Sequence, residues 1–364
     1  MTSNSMPPVR AKVLFCLLLG VFSTFFAEVA SGSTLFAFTS SFGLLFVFPL
    51  YILHITVLSA IVFGFGRPRF YVLYAAGTLF GMYEAYMTKV LWISFLPNGP
   101  LLKLGGVGVI EALVLVFFWH PLMAFIVPLG ISERLLTASR TIPLIRTRGR
   151  KFLWVMLALL LGANQGVYTH SPLRSLLAGT VAILVLCGCV LLWRRTGFQH
   201  YRLPDLLLGG RGLGLALVLL IADYVILTKS IKPDKLPAIN SQISIWILYA
   251  TLLALLVAHL RKSRSLPLAD YDASDLSTRW FSGLLLLMTL SSAVVATVLG
   301  GIPAFGAVVF PVLLGLSSLA GMFLFAFALF DLLRRSPSPQ TVRAEISRTA
   351  MPMEKSAQLA RNPH

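Results

Sequence analysis

Two consecutive apolar stretches decide the fold: RFYVLYAAGTLFGMYEAYMTKVLW at 69–92 and GGVGVIEALVLVFFWHPLMAFIVP at 105–128. Each is long enough to cross a bilayer, for which about 20 apolar residues suffice. Yet the first carries Glu84 and Lys89, and the second carries Glu111 and His120. An ionisable group at membrane depth costs roughly 2.5–3.5 kcal/mol on insertion scales. A chain keeps such groups where they face protein or a wet cavity. The two stretches therefore imply a helix bundle with a polar interior, and they point to where its site lies.

The rest of the chain has the same character. Of its 364 residues, 57% are hydrophobic and 12% charged, against roughly 25% charged in a soluble domain. Apolar runs recur from end to end, which implies an all-α, polytopic transmembrane helix bundle of about ten spans. The bundle is expected over 13–333, between a polar tail at 1–12 and a disordered, Pro- and Ser-containing tail at 334–364. The run Val13–Ala30, followed by Ser31-Gly32, has the pattern of a cleaved signal peptide, but its length and Glu28 favour a retained first helix. Ser40, Ser41 and Gly43 interrupt the next run, so 33–43 reads as an interfacial or re-entrant piece.

The formal charge of +17 would suggest nucleic acid in a soluble protein. Here the basic residues occupy short loops between spans. With ten spans, 24 of the 30 Lys and Arg fall on the side of both termini, which marks that side as cytoplasmic. Anionic lipid headgroups, not nucleic acid, are the expected partners of this charge. Cys16, Cys187 and Cys189 lack zinc-type spacing, so no metal or cofactor is assigned. The glycines at 209, 210, 212 and 214 follow no soluble strand and suit close helix packing better than phosphate binding.

Orientation turns sequence offsets into depths. At 1.5 Å per residue, Glu28 and Glu84 lie roughly 22–24 Å from the cytoplasmic face, and Glu111 roughly 9 Å below the outer face. Asp223 falls at a similar level. Four acids from four helices thus share the outer leaflet, with His54 and His120 deeper. Glu84 and His120 are the candidate catalytic pair. Glu28, Glu111, Lys89 and Asp223 are candidates for substrate binding or a proton relay. Glu111 and His120 are nine residues apart, about 180° around an ideal helix, so only a distorted helix turns both to one cavity.

The chain resembles a family of uncharacterised prokaryotic multi-pass membrane proteins over about 25–135. The matching pieces are Glu28-Val29-Ala30-Ser31-Gly32-Ser33-Thr34, Gly81-Met82-Tyr83-Glu84 with Thr88-Lys89, and His120 followed by Ile126-Val127-Pro128 and Glu133. A fainter similarity is to intramembrane glutamate proteases of the CAAX-processing and bacteriocin-processing type. It implies that Glu84 stands for the second acid of their Glu-Glu motif and His120 for their first histidine. Tyr83 stands in place of the other acid, Thr88 in place of the arginine and Val116 in place of the phenylalanine.

Three functions follow as expectations. A hydrolase uses Glu84 as base and His120 as helper, within one water of each other. A proton- or cation-coupled transporter titrates Glu28, Glu84 and Asp223 along a path between faces. A noncatalytic scaffold pairs its acids and has no cavity. Orientation has its own check. A fluorescent protein fused after His364 is expected to fluoresce and alkaline phosphatase fused there to stay inactive; the opposite pattern places the termini outside.

Overall fold

A computed structural model describes residues 6–143, 150–268 and 276–334. Ten long helices run through them: α1 Val9–Val29, α2 Gly43–Phe65, α3 Phe70–Met87, α4 Val109–Leu136, α5 Arg150–Thr169, α6 Pro172–Thr196, α7 Arg211–Ser230, α8 Ile239–Ser263, α9 Thr278–Gly301 and α10 Pro303–Leu333. The chain is an all-α polytopic bundle. Most of the polar C-terminal tail, Arg146 and Arg148, and the loop acids Asp270, Asp272 and Asp275 lie outside the described residues.

Two helices start later than their apolar runs. Gly105 and Gly106 take positive φ (55° and 79°) and turn a two-residue antiparallel hairpin, Lys103–Leu104 on Val107–Gly108. Such a turn needs left-handed backbone, which glycine adopts without a Cβ clash. α4 therefore begins at Val109 rather than 105, and it continues to Leu136. In the same way Gly210, at φ 49°, delays α7 to Arg211.

Nine of the ten helices are long and apolar enough to cross a membrane by themselves. α3 is the exception: its 18 residues include four tyrosines, two glycines, Thr78 and Glu84. It is also the most enclosed in proportion, with 14 of its 18 residues buried, and it packs against α4, α8, α2 and α10. A helix walled by other helices need not be lipophilic all round. α7 shows the opposite case: only Ala216 and Leu227 are buried, and its apolar sides face outward.

α3 sits close against α4 because Gly77 and Gly81 form a small-xxx-small stripe. A Cβ on Gly77 would lie 2.5 Å from the Pro121 Cα; one on Gly81 would lie 3.0 Å from the His120 Cβ and the Leu115 carbonyl oxygen. The facing part of α4, Ala112–Ile126, is wound as a π-helix around Pro121. Proline has no N–H to give its own helix. Tyr74 Oη of α3 donates to the Phe117 carbonyl in the same stretch at 2.8 Å.

Basic loops gather at one end of the bundle. Arg67 Nε and Arg69 Nη2 donate to the Leu266 and Pro267 carbonyls, the Ala138 N–H to Tyr201 O, and Arg10 lies over the Phe198 ring. Glu133 is fully engaged here. It accepts from Ser139 Oγ (3.0 Å), Thr141 N (2.7 Å), Thr141 Oγ1 (2.6 Å) and Ile142 N (2.8 Å). Buried and tied to the loop that leaves α4, it anchors that loop. At the far end, Trp92 Nε1 donates to Lys235 O and Ser241 Oγ to Gly106 O.

Gly77→Leu is expected to destabilise the protein by about 1–3 kcal/mol, the usual range for overpacking, because backbone stands where the side chain must go. Thermal unfolding in detergent measures it. An unchanged midpoint would mean that α3 and α4 are further apart than described.

Candidate functional site

α1 ends in a π-helical turn, Phe25–Val29. A helix end leaves carbonyls without partners, and neighbouring side chains supply donors. Trp119 Nε1 of α4 donates to Ala27 O (3.0 Å), Gln165 Nε2 of α5 to Val29 O (2.7 Å) and Asn164 Nδ2 of α5 to Ser31 O (3.0 Å). Gly32 makes this crossing possible, with φ at 87° and a Cβ position 2.9 Å from the Tyr168 Cβ. The chain then runs through turns from Ala30 to Thr39 before α2. Glu28 is thereby fixed at the end of α1, facing α2.

Its carboxylate is fully served. Tyr51 Oη of α2 donates to Oε1 at 2.6 Å, and Ser33 Oγ to Oε2 at 2.5 Å. A buried carboxylate with two hydroxyl donors is a stable arrangement, since such charge-assisted bonds are the strong ones.

The Glu84–His120 pair, set by the α3–α4 stripe, differs. His120 Nδ1 faces the Leu115 carbonyl at 3.0 Å, five residues back on its own helix. A carbonyl only accepts, so Nδ1 carries the proton and Nε2 of the neutral ring is an acceptor. Glu84 Oε2 stands 3.3 Å from Nε2, without the alignment of a hydrogen bond, and no other donor reaches it among the described residues. Tyr51 Oη, its proton given to Glu28, lies 3.4 Å from Nε2. With Glu84 ionised, two buried acceptors therefore face each other with no donor between them.

Glu28, Tyr51, Glu84 and His120 open into one cavity of about 340 Å³. Ser31, Ser33, Thr34, Thr88, Asn164 and Ser317 add to its polar part. Most of the remaining wall is apolar and aromatic, from α2, α4, α7 and α10 and the segment after α3. The lining residues all sit in the half of the bundle away from the basic loops.

The remaining sequence candidates lie elsewhere. Glu111 is buried under the hairpin and accepts from Ser94 Oγ. The π-winding of α4 does distort the helix, but Glu111 belongs to the ordinary turn before it. Lys89 follows the end of α3 in left-handed conformation (φ 63°), and its Nζ donates to Lys232 O. Burial pushes its ammonium below the usual lysine pKa, and Asp234 partly offsets this. Asp223 accepts from Tyr83 Oη at 3.4 Å, half-exposed on the side of α3 away from the cavity lining. His54 gives Nδ1–H to Leu50 O at 2.7 Å and packs on Phe80 and Tyr83, a satisfied core histidine. Tyr51, the link between Glu28 and His120, carries no charge that would single it out in an apolar run. Ser33 stood only as one letter of a matching motif.

These features define a polytopic membrane protein with an acid–histidine cavity inside its bundle. Residues 17–335 match a family described as an uncharacterized membrane protein family, and the chain belongs to it. A protein of Archaeoglobus fulgidus, described as an uncharacterized protein, is 36% identical over 254 residues, which cover 68% of this chain and 78% of that relative. No solved structure matches the chain.

Tyr51→Phe leaves Glu28 Oε1 without its donor and is expected to cost about 1–3 kcal/mol, the penalty for a stranded buried acceptor. The double variant with Glu28→Leu is expected to lose less than the sum of the two single changes in a thermal-unfolding cycle. Additive losses would show that the two side chains do not interact.

Proposed function

We propose that this protein is a hydrolase of the cell membrane whose active site is the cavity, with Glu84 as general base and His120 as its partner. The observation that carries this is the 3.3 Å approach of Glu84 Oε2 to His120 Nε2, two acceptors at the wall of a cavity of substrate size. A water placed there donates one hydrogen to each. The water oxygen attacks a carbonyl carbon and forms the new C–O bond while its proton passes to Glu84. Collapse of the tetrahedral intermediate breaks the bond to the leaving group, which takes the proton back from Glu84. Product carboxylic acid and alcohol or amine balance the water consumed. Because Nδ1 is tied to Leu115 O, the imidazole keeps one tautomer and one orientation through the cycle.

The similarity to intramembrane glutamate proteases supports the same roles for the same two residues. A transmembrane relay has weaker support. Imidazole passes a proton onward by taking it at one nitrogen and releasing it at the other, and Nδ1 is closed by its own helix.

The test uses the protein in phosphatidylcholine nanodiscs with long-chain esters, long-chain amides and transmembrane peptides in ¹⁸O-labelled water. Wild type is expected to place ¹⁸O in a product carboxylate. Glu84→Gln and His120→Ala are each expected to lower kcat by roughly 10²–10⁴-fold, the usual share of a general acid–base group, and Glu111→Gln to leave it unchanged. No labelled product from wild type, or full activity in Glu84→Gln, ends the hydrolase reading.

A further inference from the structure

The protein carries a formal charge of +17, yet no Lys or Arg lines the cavity among the described residues. Its acidic lining is Glu28 and Glu84. The nearest cation in sequence, Lys89, is 2% exposed and spends its ammonium on the Lys232 carbonyl. An anionic headgroup entering here would meet carboxylates with no counter-charge, in surroundings where the dielectric screens little. Phosphate and carboxylate ligands are therefore disfavoured by the same residues that form the site.

The unsatisfied atoms say what is favoured. Glu84 Oε2 is buried without a hydrogen-bond donor, and His120 Nε2 faces it as a second acceptor. Glu28 already holds two donors. A buried acceptor left unpaired is costly, so the complementary group is an O–H or N–H. Beyond the polar part the wall turns apolar, with Phe46, Leu50, Leu227, Phe310, Leu313 and Leu314. The volume, about 340 Å³, lies near the lower end of the roughly 300–1,000 Å³ of small-molecule sites. That suits one chain and one small polar group rather than a two-chain lipid.

We infer that the cavity binds a single-chain amphiphile whose polar end donates hydrogen bonds and bears no negative charge: a long-chain alcohol, amine or amide. This rests on the reading that the cavity is where substrate sits, and it narrows that substrate to an amide, or to an ester or amide whose leaving group is such an alcohol or amine. It also orders the reaction: a carboxylate product forms beside two glutamates and is expelled, whereas an alcohol or amine product is retained longer.

The probes are radiolabelled dodecanol, dodecylamine, dodecanoate and dodecyl phosphate. Retention is read by scintillation proximity on protein-loaded phosphatidylcholine nanodiscs, with empty nanodiscs subtracted for partitioning. Dodecanol and dodecylamine are expected to bind saturably and at least tenfold more tightly than the two anions. Glu84→Gln, which keeps the shape and removes the charge, is expected to shrink the amine-over-anion preference to within threefold. If the variant is not recovered folded, Glu28→Gln gives the same reading. Equal or tighter binding of an anion, or an amine preference untouched by both substitutions, overturns the inference. Selective binding with no ¹⁸O product retains it and ends hydrolysis; ¹⁸O turnover of anionic amphiphiles does the reverse.

Discussion

The distance between α3 and α4 governs the rest of the molecule. Gly77 and Gly81 let two backbones approach until Glu84 and His120 touch, and Pro121 with the π-winding of α4 shapes the receiving surface. A bilayer supplies neither water nor counter-ions to a stray carboxylate. Glu84 is tolerable only because protein surrounds it, and protein surrounds it because the stripe of small residues draws the helices together. The cavity is what remains where side chains stop short of each other around that contact.

Around this contact the hydrogen bonds divide into closed and open groups. Glu28 is closed, with Tyr51 and Ser33 on its two oxygens. Glu133 at the basic end is closed more tightly, by two hydroxyls and two backbone amides, and it serves the loop that leaves α4. Glu84 and His120 are the open group. Glu111 under the hairpin is intermediate, with Ser94 on one oxygen and the other buried without a partner. Of the two acids short of a donor, Glu84 is the one that lines the cavity.

Much of the fold was legible because lipid imposes a simple rule: spans are long, apolar and separated by turn residues or basic loops. α3 was legible even though its composition is the least lipophilic, since its polar residues interrupt rather than end the run. Glu84 and His120 stood out for the same reason, as charges where none is cheap. Their partners did not, because a tyrosine or serine in an apolar run costs little and so carries no signal. Counting 100° per residue sets Glu111 opposite His120, and Glu111 is absent from the cavity lining, buried beside Gly108 of the hairpin. Lys89 lies five residues from Glu84, yet a single left-handed residue turns it to another loop. Glu133, part of the matching motif, is engaged in holding backbone.

The enclosure of α3 also bears on how the chain is made. Helices leave the ribosome in order, so α3 is complete before α4 has been synthesised. Alone it is the poorest candidate for partitioning into lipid, and its natural wall does not yet exist. Until Gly77 and Gly81 find Pro121, the segment has only the helices already inserted to shelter Glu84. Membrane integration of this protein is therefore a matter of two consecutive helices delivered as a unit, with the polar one waiting on the apolar one that follows.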